Sequence, residues 1–230
     1  MKKLIIAIVI IISISSLSIA QDCIIPSEIK SYDYNSTKAI ANNKDWKNDI
    51  ETDSWLFALS WSKGFCDRYS GHVPKRLEHQ CLNNSMGLVI HGLWAQSDKA
   101  GGNYKKHPRN CIDAAAIDRT LIEDYICIVP GIQLMQKEWE KHGTCDFDTA
   151  EEYFATMNVL YQQLNIPSIE DLEVYEFKSP EIIKAYFLNI NKDIGLNKNN
   201  VVIKINNKNK RLSEIYILYD KDFRFSKTKY

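Results

Sequence analysis

Several things are missing from this sequence, and each absence removes a class of protein. Neither charge is in surplus: 29 Lys and Arg stand against 29 Asp and Glu in 230 residues. A chain so balanced lacks the field that holds proteins tightly and indiscriminately on long duplexes, so any polyanion it handles must meet a local cluster of cations. There is no C-x2-C pair, and the cysteines nearest in sequence, Cys66 and Cys81, are too far apart to read as a zinc-finger half-site. After the N-terminus no segment is apolar enough to span a bilayer. Internal repeats and low-complexity linkers are absent, as is any alternation of strand and helix that would give a parallel sheet.

What is present begins with an export signal. Lys2 and Lys3 precede an apolar run from Leu4 to Ile12, and Ser18-Ile19-Ala20 supplies small residues at the exit. Residues 1–20 therefore read as a cleavable secretory signal peptide, which places the remainder, 21–230, outside the cytoplasm as one domain, secreted or periplasmic. Losing Lys2 and Lys3 leaves slightly more acidic than basic residues. All 6 cysteines follow the leader. An even number in an exported chain reads as disulfides, for which 6 cysteines allow about fifteen pairings. Short-range closure favours Cys66–Cys81.

The hydrophobic pattern predicts an α+β fold, a central antiparallel sheet packed against several helices. Residues 21–53 are polar and read as irregular, anchored through Cys23. Strands are expected at Trp55–Trp61, Met86–Trp94, Val201–Ile205 and Ile215–Tyr219, with the second ending in a turn at Gly92. Residues 62–85 and 96–113 read as loops. Helices are expected at Ala114–Cys127, Gln133–His142 with Gly143 as the stop, Thr149–Leu164 with Thr149 and Glu152 as a capping box, and Ser179–Ile190 with Pro180 in the first turn.

Two histidines fall where chemistry is possible. His91 closes an apolar strand beside Gly92. Glu138, Lys141 and His142 lie within one turn and share a helical face. Imidazole titrates near neutral pH, so such a pair can remove one proton and supply another, with a lysine to stabilise developing anionic charge. Trp94 is near enough to His91 to offer a nucleobase a stacking surface. Taken singly, each residue has a bland reading: a structural strand-end histidine, a solvated helix face, a core tryptophan. His72, His79 and His107 read as solvated loop charge.

The motifs together carry more. Ile90-His91-Gly92-Leu93-Trp94 and Glu138-Trp139-Glu140-Lys141-His142-Gly143-Thr144-Cys145 resemble, in order and separation, the two active-site segments of the ribonuclease T2 family of acid ribonucleases, in particular its bacterial ribonuclease I members. Ala58-Leu59-Ser60-Trp61 up to Cys66 is similar to that family's first core strand. The resemblance is good over residues 54–146 and weak in the C-terminal third.

It implies an endoribonuclease, without metal or cofactor, that cleaves single-stranded RNA by transesterification to 2′,3′-cyclic phosphates, with little base preference. By resemblance His142 is the base, His91 the acid, Glu138 and Lys141 assist the transition state, and Trp94 stacks a base. It also implies a Cys111–Cys145 disulfide, which leaves Cys23 with Cys127. Two positions depart from the family pattern. Lys137 stands where a phosphate-contacting histidine is usual, and Ala95 stands where Pro is usual, with Gln96 next in line to touch the base. A monomer with RNA as its only partner, off the membrane after leader cleavage, is expected. The rivals are a zinc hydrolase, disfavoured because Lys137 breaks an H-E-x-x-H pattern, and a catalytically altered, RNA-binding or toxin-like relative. The latter would protect RNA, whereas the enzyme would degrade it in EDTA.

Overall fold

The computed structural model describes residues 23–69 and 71–225; the expected leader, 1–20, lies outside the described residues. In chain order the elements are α1 (Ser36–Ala41), β1 (Ser54–Trp61), α2 (Ser62–Cys66), α3 (Glu78–Cys81), β2 (Leu88–Gln96), α4 (Arg119–Tyr125), α5 (Ile132–His142), α6 (Ala150–Gln162), α7 (Ile169–Tyr175), α8 (Pro180–Ile190), β3 (Val201–Ile205) and β4 (Leu212–Asp220). The strands form one antiparallel sheet in the order β2-β1-β4-β3. This is the α+β arrangement expected.

Alternation along the strands sorts side chains onto two faces. Trp55, Phe57, Leu59 and Trp61 of β1, with Leu212, Ile215, Ile217 and Tyr219 of β4, pack against Tyr153, Phe154, Met157 and Phe187 of the helices to make the main core. The other face is thin: Leu56, Ala58 and Leu218 form a small cluster flanked by Trp94 and Tyr216. That second face also carries His91, Gly92 and Glu214.

Several local expectations hold for the stated reasons. Thr149 caps α6 by accepting from the Glu152 N–H at 3.2 Å, and Ser179 caps α8 with Pro180 behind it. The disulfides are Cys23–Cys127, Cys66–Cys81 and Cys111–Cys145. Among the described residues no helix is long and apolar enough to cross a membrane.

Others are corrected. β2 does not stop at a Gly92 turn but runs on to Gln96. The helix expected from Ala114 begins only at Arg119, because the Asp118 carboxylate caps it, accepting from the Leu121 N–H at 2.9 Å. Residues 62–85 contain α2 and α3, and α7 was not foreseen; helices this short show too few turns for a period to stand out. The stop at Gly143 does hold, since α5 ends at His142 with Gly143 as its C-cap; the Gly143 backbone stays right-handed, and a Cβ there would strike the Trp139 and Tyr153 rings. His79 is not solvated but buried, its ring 3.2 Å from the Ile126 carbonyl, and His107 accepts from the Ser97 N–H at 3.0 Å.

Candidate active site

His91 owes its position to a fault in the sheet. Ala58 pairs with Gly92 and Leu59 with Ile90, so His91 is the extra residue of a β-bulge in edge strand β2. A bulge turns two consecutive residues to one face. Here His91 and Gly92 both meet the thin face, between Val89 and Trp94. The room beside His91 is real only because residue 92 has no side chain: a Cβ there would collide with Glu138 Oε2 and lie 2.7 Å from Trp94 Nε1.

Helix α5 supplies the opposing groups. Met135 and Trp139 anchor it in the main core, which presents Glu138 and His142, one turn apart, towards β2. Glu138 sits between the histidines. Its Oε1 is 3.8 Å from His91 Nε2 and its Oε2 is 3.9 Å from His142 Nε2, too far for a hydrogen bond to either. Its close partner is Trp94, whose indole N–H donates to Oε2 at 2.7 Å. The Trp94 ring lies edge-on to His91 (5.1 Å between centroids), tilted against His142 (5.7 Å) and edge-on to Tyr216 (5.5 Å).

The two imidazoles are tuned in opposite directions. Burial acts against a charged His91, but the Glu214 hydrogen bond and the charges of Glu138 and Glu214 outweigh it, and His91 titrates above its ordinary value. Burial likewise disfavours a charged His142, and there the nearby Arg109 and Lys141 add to it, so His142 is held well below its ordinary value. Arg109 Nη1 lies 3.3 Å from His142 Nε2 and can only donate, so that nitrogen offers its lone pair. Among the described residues, Nδ1 of His142 is buried without a hydrogen-bond partner.

Arg109 is locked from behind. Its Nε and Nη2 donate to the two oxygens of Asp45 at 2.7 and 3.1 Å, and its guanidinium lies 4.5 Å from the centre of the Trp46 ring. The Tyr34 hydroxyl donates to Asp45 at 2.5 Å. Asp45 is buried, yet these donors hold its carboxyl far below the usual range. Lys141 Nζ stands 3.6 Å from Asp45 and above the Tyr34 ring, and burial and Arg109 lower its pKa. Lys137 lies further out, 5.6 Å from the centre of the Tyr32 ring.

A cavity opens on either side of the histidine pair. One, of about 450 Å³, is lined by Ser60, Arg68, Arg76, His91, Lys137 and Glu214. The other, of about 340 Å³, is lined by Trp46, Trp94, Gln96, Tyr104, Arg109 and His142. Both have apolar walls with convergent donors, the form of a small-molecule or nucleotide site. Among the described residues no group of three or more His, Cys, Asp or Glu side chains is placed to hold a metal ion.

The sequence profile of the Ribonuclease T2 family matches residues 52–228. The chain belongs to that family. It is 43% identical over 122 residues to a "Probable ribonuclease" of Haemophilus influenzae, an alignment covering 50% of this chain and 44% of that protein. It is 26% identical over 190 residues to "Ribonuclease 3" of Arabidopsis thaliana, covering 73% and 78%. The aligned stretch thus spans under half of the Haemophilus relative. Among solved structures it resembles an RNase-related protein from Calystegia sepium (TM-score 0.58, 21% identity, 79% of this chain and 92% of that one) and trichomaglin, described as a novel S-like ribonuclease (TM-score 0.56, 20% identity, 75% and 89%). These two likenesses concern the fold.

In this ribonuclease T2 family member the fold brings His91, Trp94, Glu138 and His142 into one contact group, with Lys141 beside it. Lys137 and Gln96 are separated, each lining a different cavity, and Gln96 spends its amide on the Trp94 and Ala95 carbonyls. The sequence reading missed Glu214, Tyr216, Arg109, Asp45 and Tyr34. Glu214 carried a signal of sorts, as an acid near the start of a largely apolar strand whose other acid, Asp220, is its last residue. Tyr216 lies in an expected strand but reads there as an ordinary strand aromatic, and Arg109, Asp45 and Tyr34 sit in segments with no period and no motif.

Proposed function

We propose that this protein is an exported endoribonuclease that cleaves single-stranded RNA by acid–base transesterification, working as a monomer without metal or cofactor. His142 Nε2 takes the proton of a ribose 2′-OH. The 2′-oxygen attacks the adjacent phosphorus, the bond from phosphorus to the 5′-oxygen breaks, and His91 Nε2 gives its proton to that leaving oxygen. The products are a 2′,3′-cyclic phosphate and a 5′-hydroxyl. Lys141 and Glu138 assist, the lysine by stabilising charge on the phosphoryl oxygens. Trp94, Gln96 and Lys137 bind the substrate, Trp94 and Gln96 at the base and Lys137 at phosphate.

The observation that carries this reading is the contrast between two imidazoles facing one carboxylate. Their Nε2 atoms lie 3.8 Å (His91) and 3.9 Å (His142) from the Glu138 carboxylate, their surroundings push the pKa of His91 up and that of His142 down, and transesterification needs one proton donor and one acceptor at once. Family membership supports it, as do the names of the relatives from Haemophilus influenzae and Arabidopsis thaliana. The test is digestion of defined RNA oligonucleotides in EDTA, with termini identified by mass spectrometry. Cyclic phosphates are expected, and DNA of the same sequence should survive. Complete inhibition by EDTA, or protection of RNA without cleavage, would overturn the proposal.

A further inference from the structure

From the side chains that meet across β2, β1 and β4 we infer that Glu214 is a positioning residue for the reaction proposed above: it fixes the tautomer and direction of His91 so that Nε2 delivers the proton to the leaving oxygen. The contact is short and specific. His91 Nδ1 lies 2.6 Å from Glu214 Oε1. A carboxylate can only accept, so Nδ1 carries hydrogen, and the remaining nitrogen, Nε2, is the one turned towards Glu138 and the open side of the site. A carboxylate that holds an imidazole in one tautomer leaves its far nitrogen as the working atom.

The carboxylate is itself held. Ser60 Oγ donates to Oε1 at 3.0 Å and Tyr216 Oη donates to Oε2 at 2.7 Å. Strand register puts these groups together: Ser60 pairs with Glu214, and Ala58 pairs with both Gly92 and Tyr216. β1 therefore offers only Ala58 and Ser60 where the imidazole reaches across it from β2 to β4. A larger residue at either place would block that path. The bulge on β2 and the acid on β4 are two halves of one arrangement, since a histidine in regular register would face the wrong way or stop short.

The charged groups facing His91 are Glu214 from β4, Glu138 from α5 and Arg68 from the turn after α2, with His142 across Glu138. Two are anionic and one cationic, so removing Glu214's charge leaves the imidazole easier to deprotonate. Its titration should then fall, and with it the alkaline limb of activity.

Comparing two leaving groups separates positioning from mere support of the fold. A 4-nitrophenyl ester of a nucleoside 3′-phosphate needs no acid, because nitrophenolate leaves unprotonated, whereas a dinucleotide needs one. Glu214→Gln keeps the shape and an acceptor but loses the charge. We expect kcat on the dinucleotide to drop on the order of 10-fold with KM unchanged, less than the loss of a general acid itself. The alkaline limb should shift to lower pH, the His91 resonance in NMR should titrate lower, and activity on the nitrophenyl ester should stay within about 2-fold of the parent. Equal loss on both substrates in E214Q, while His91→Ala spares the nitrophenyl ester, would overturn the Glu214 assignment alone. Equal loss on both substrates in His91→Ala would overturn the acid role of His91, and Glu214's role with it.

Discussion

His91 and His142 are the same residue in different company, and the company decides what each can do. Carboxylates on two elements raise the pKa of His91; burial and the Arg109 guanidinium lower that of His142. Arg109 gives the sharpest test at this scale. In Arg109→Gln one of the three positive groups depressing His142, the others being Lys141 and His91, is gone, and its pKa should rise while burial still holds it down. The base is needed neutral, so the acidic limb of the rate profile should move to higher pH, and the loss should be greater at pH 5 than at pH 7. Asp45 retains the Tyr34 hydroxyl and has Lys141 at 3.6 Å, so its charge is not left bare. A uniform loss across the pH range would mean that Arg109 only supports the loop.

At the scale of elements, the site is where an irregular strand meets a buried helix. The bulge in β2 puts His91 on the thin face and α5 brings Glu138 over Gly92. Gly92→Ala is the economical probe. The added methyl meets Glu138 Oε2, which is buried and held by Trp94 and has little freedom to move. Overpacking of this kind costs roughly 1–3 kcal/mol, so the variant should fold with a lowered Tm. Its kcat should fall much further than its Tm implies, because the carboxylate between the histidines is displaced. Parent-like kcat with a lowered Tm would show that Glu138's place is not critical. α5 is also less solvated than its polar sequence led one to expect. Gln136 and Glu140 are fully buried, bonded to each other at 2.8 Å and to the backbone of Ile117 and Ser36.

Those last contacts belong to the whole molecule. Residues 23–51 lie before the family match, yet they cover α5 and supply Tyr34, Asp45 and Trp46 to the site. They are tied to the body by Cys23–Cys127, which spans 104 residues, while Cys111–Cys145 spans 34 and holds the chain just beyond His142. By loop-closure entropy bridges of these spans contribute about 4–5 kcal/mol each, and Cys66–Cys81 about 3. Together that rivals the roughly 5–15 kcal/mol by which domains are stable at all. Residues 21–230 made in a reducing cytoplasm should therefore be largely unfolded by circular dichroism, and should regain structure and activity on oxidative refolding. A reduced protein with a Tm within a few degrees of the oxidised one would contradict this dependence on the disulfides.

Local chemistry made much of this legible beforehand. Strands with period two, a cap at Thr149, a first-turn proline at Pro180 and an even set of cysteines are written in residues near one another, and short-range physics suffices to read them, whereas the two histidine motifs took their meaning from the resemblance to the family. The groups that set the histidines apart were not legible. Glu214 reaches His91 across 123 residues and Asp45 reaches Arg109 across 64. Those contacts exist only once strand register, a single-residue bulge and the packing of the N-terminal segment on α5 have been chosen by the fold. The sequence determined which residues could exchange protons; only the tertiary structure decided which imidazole would hold one, because a pKa depends on burial and on charges brought close in space rather than along the chain.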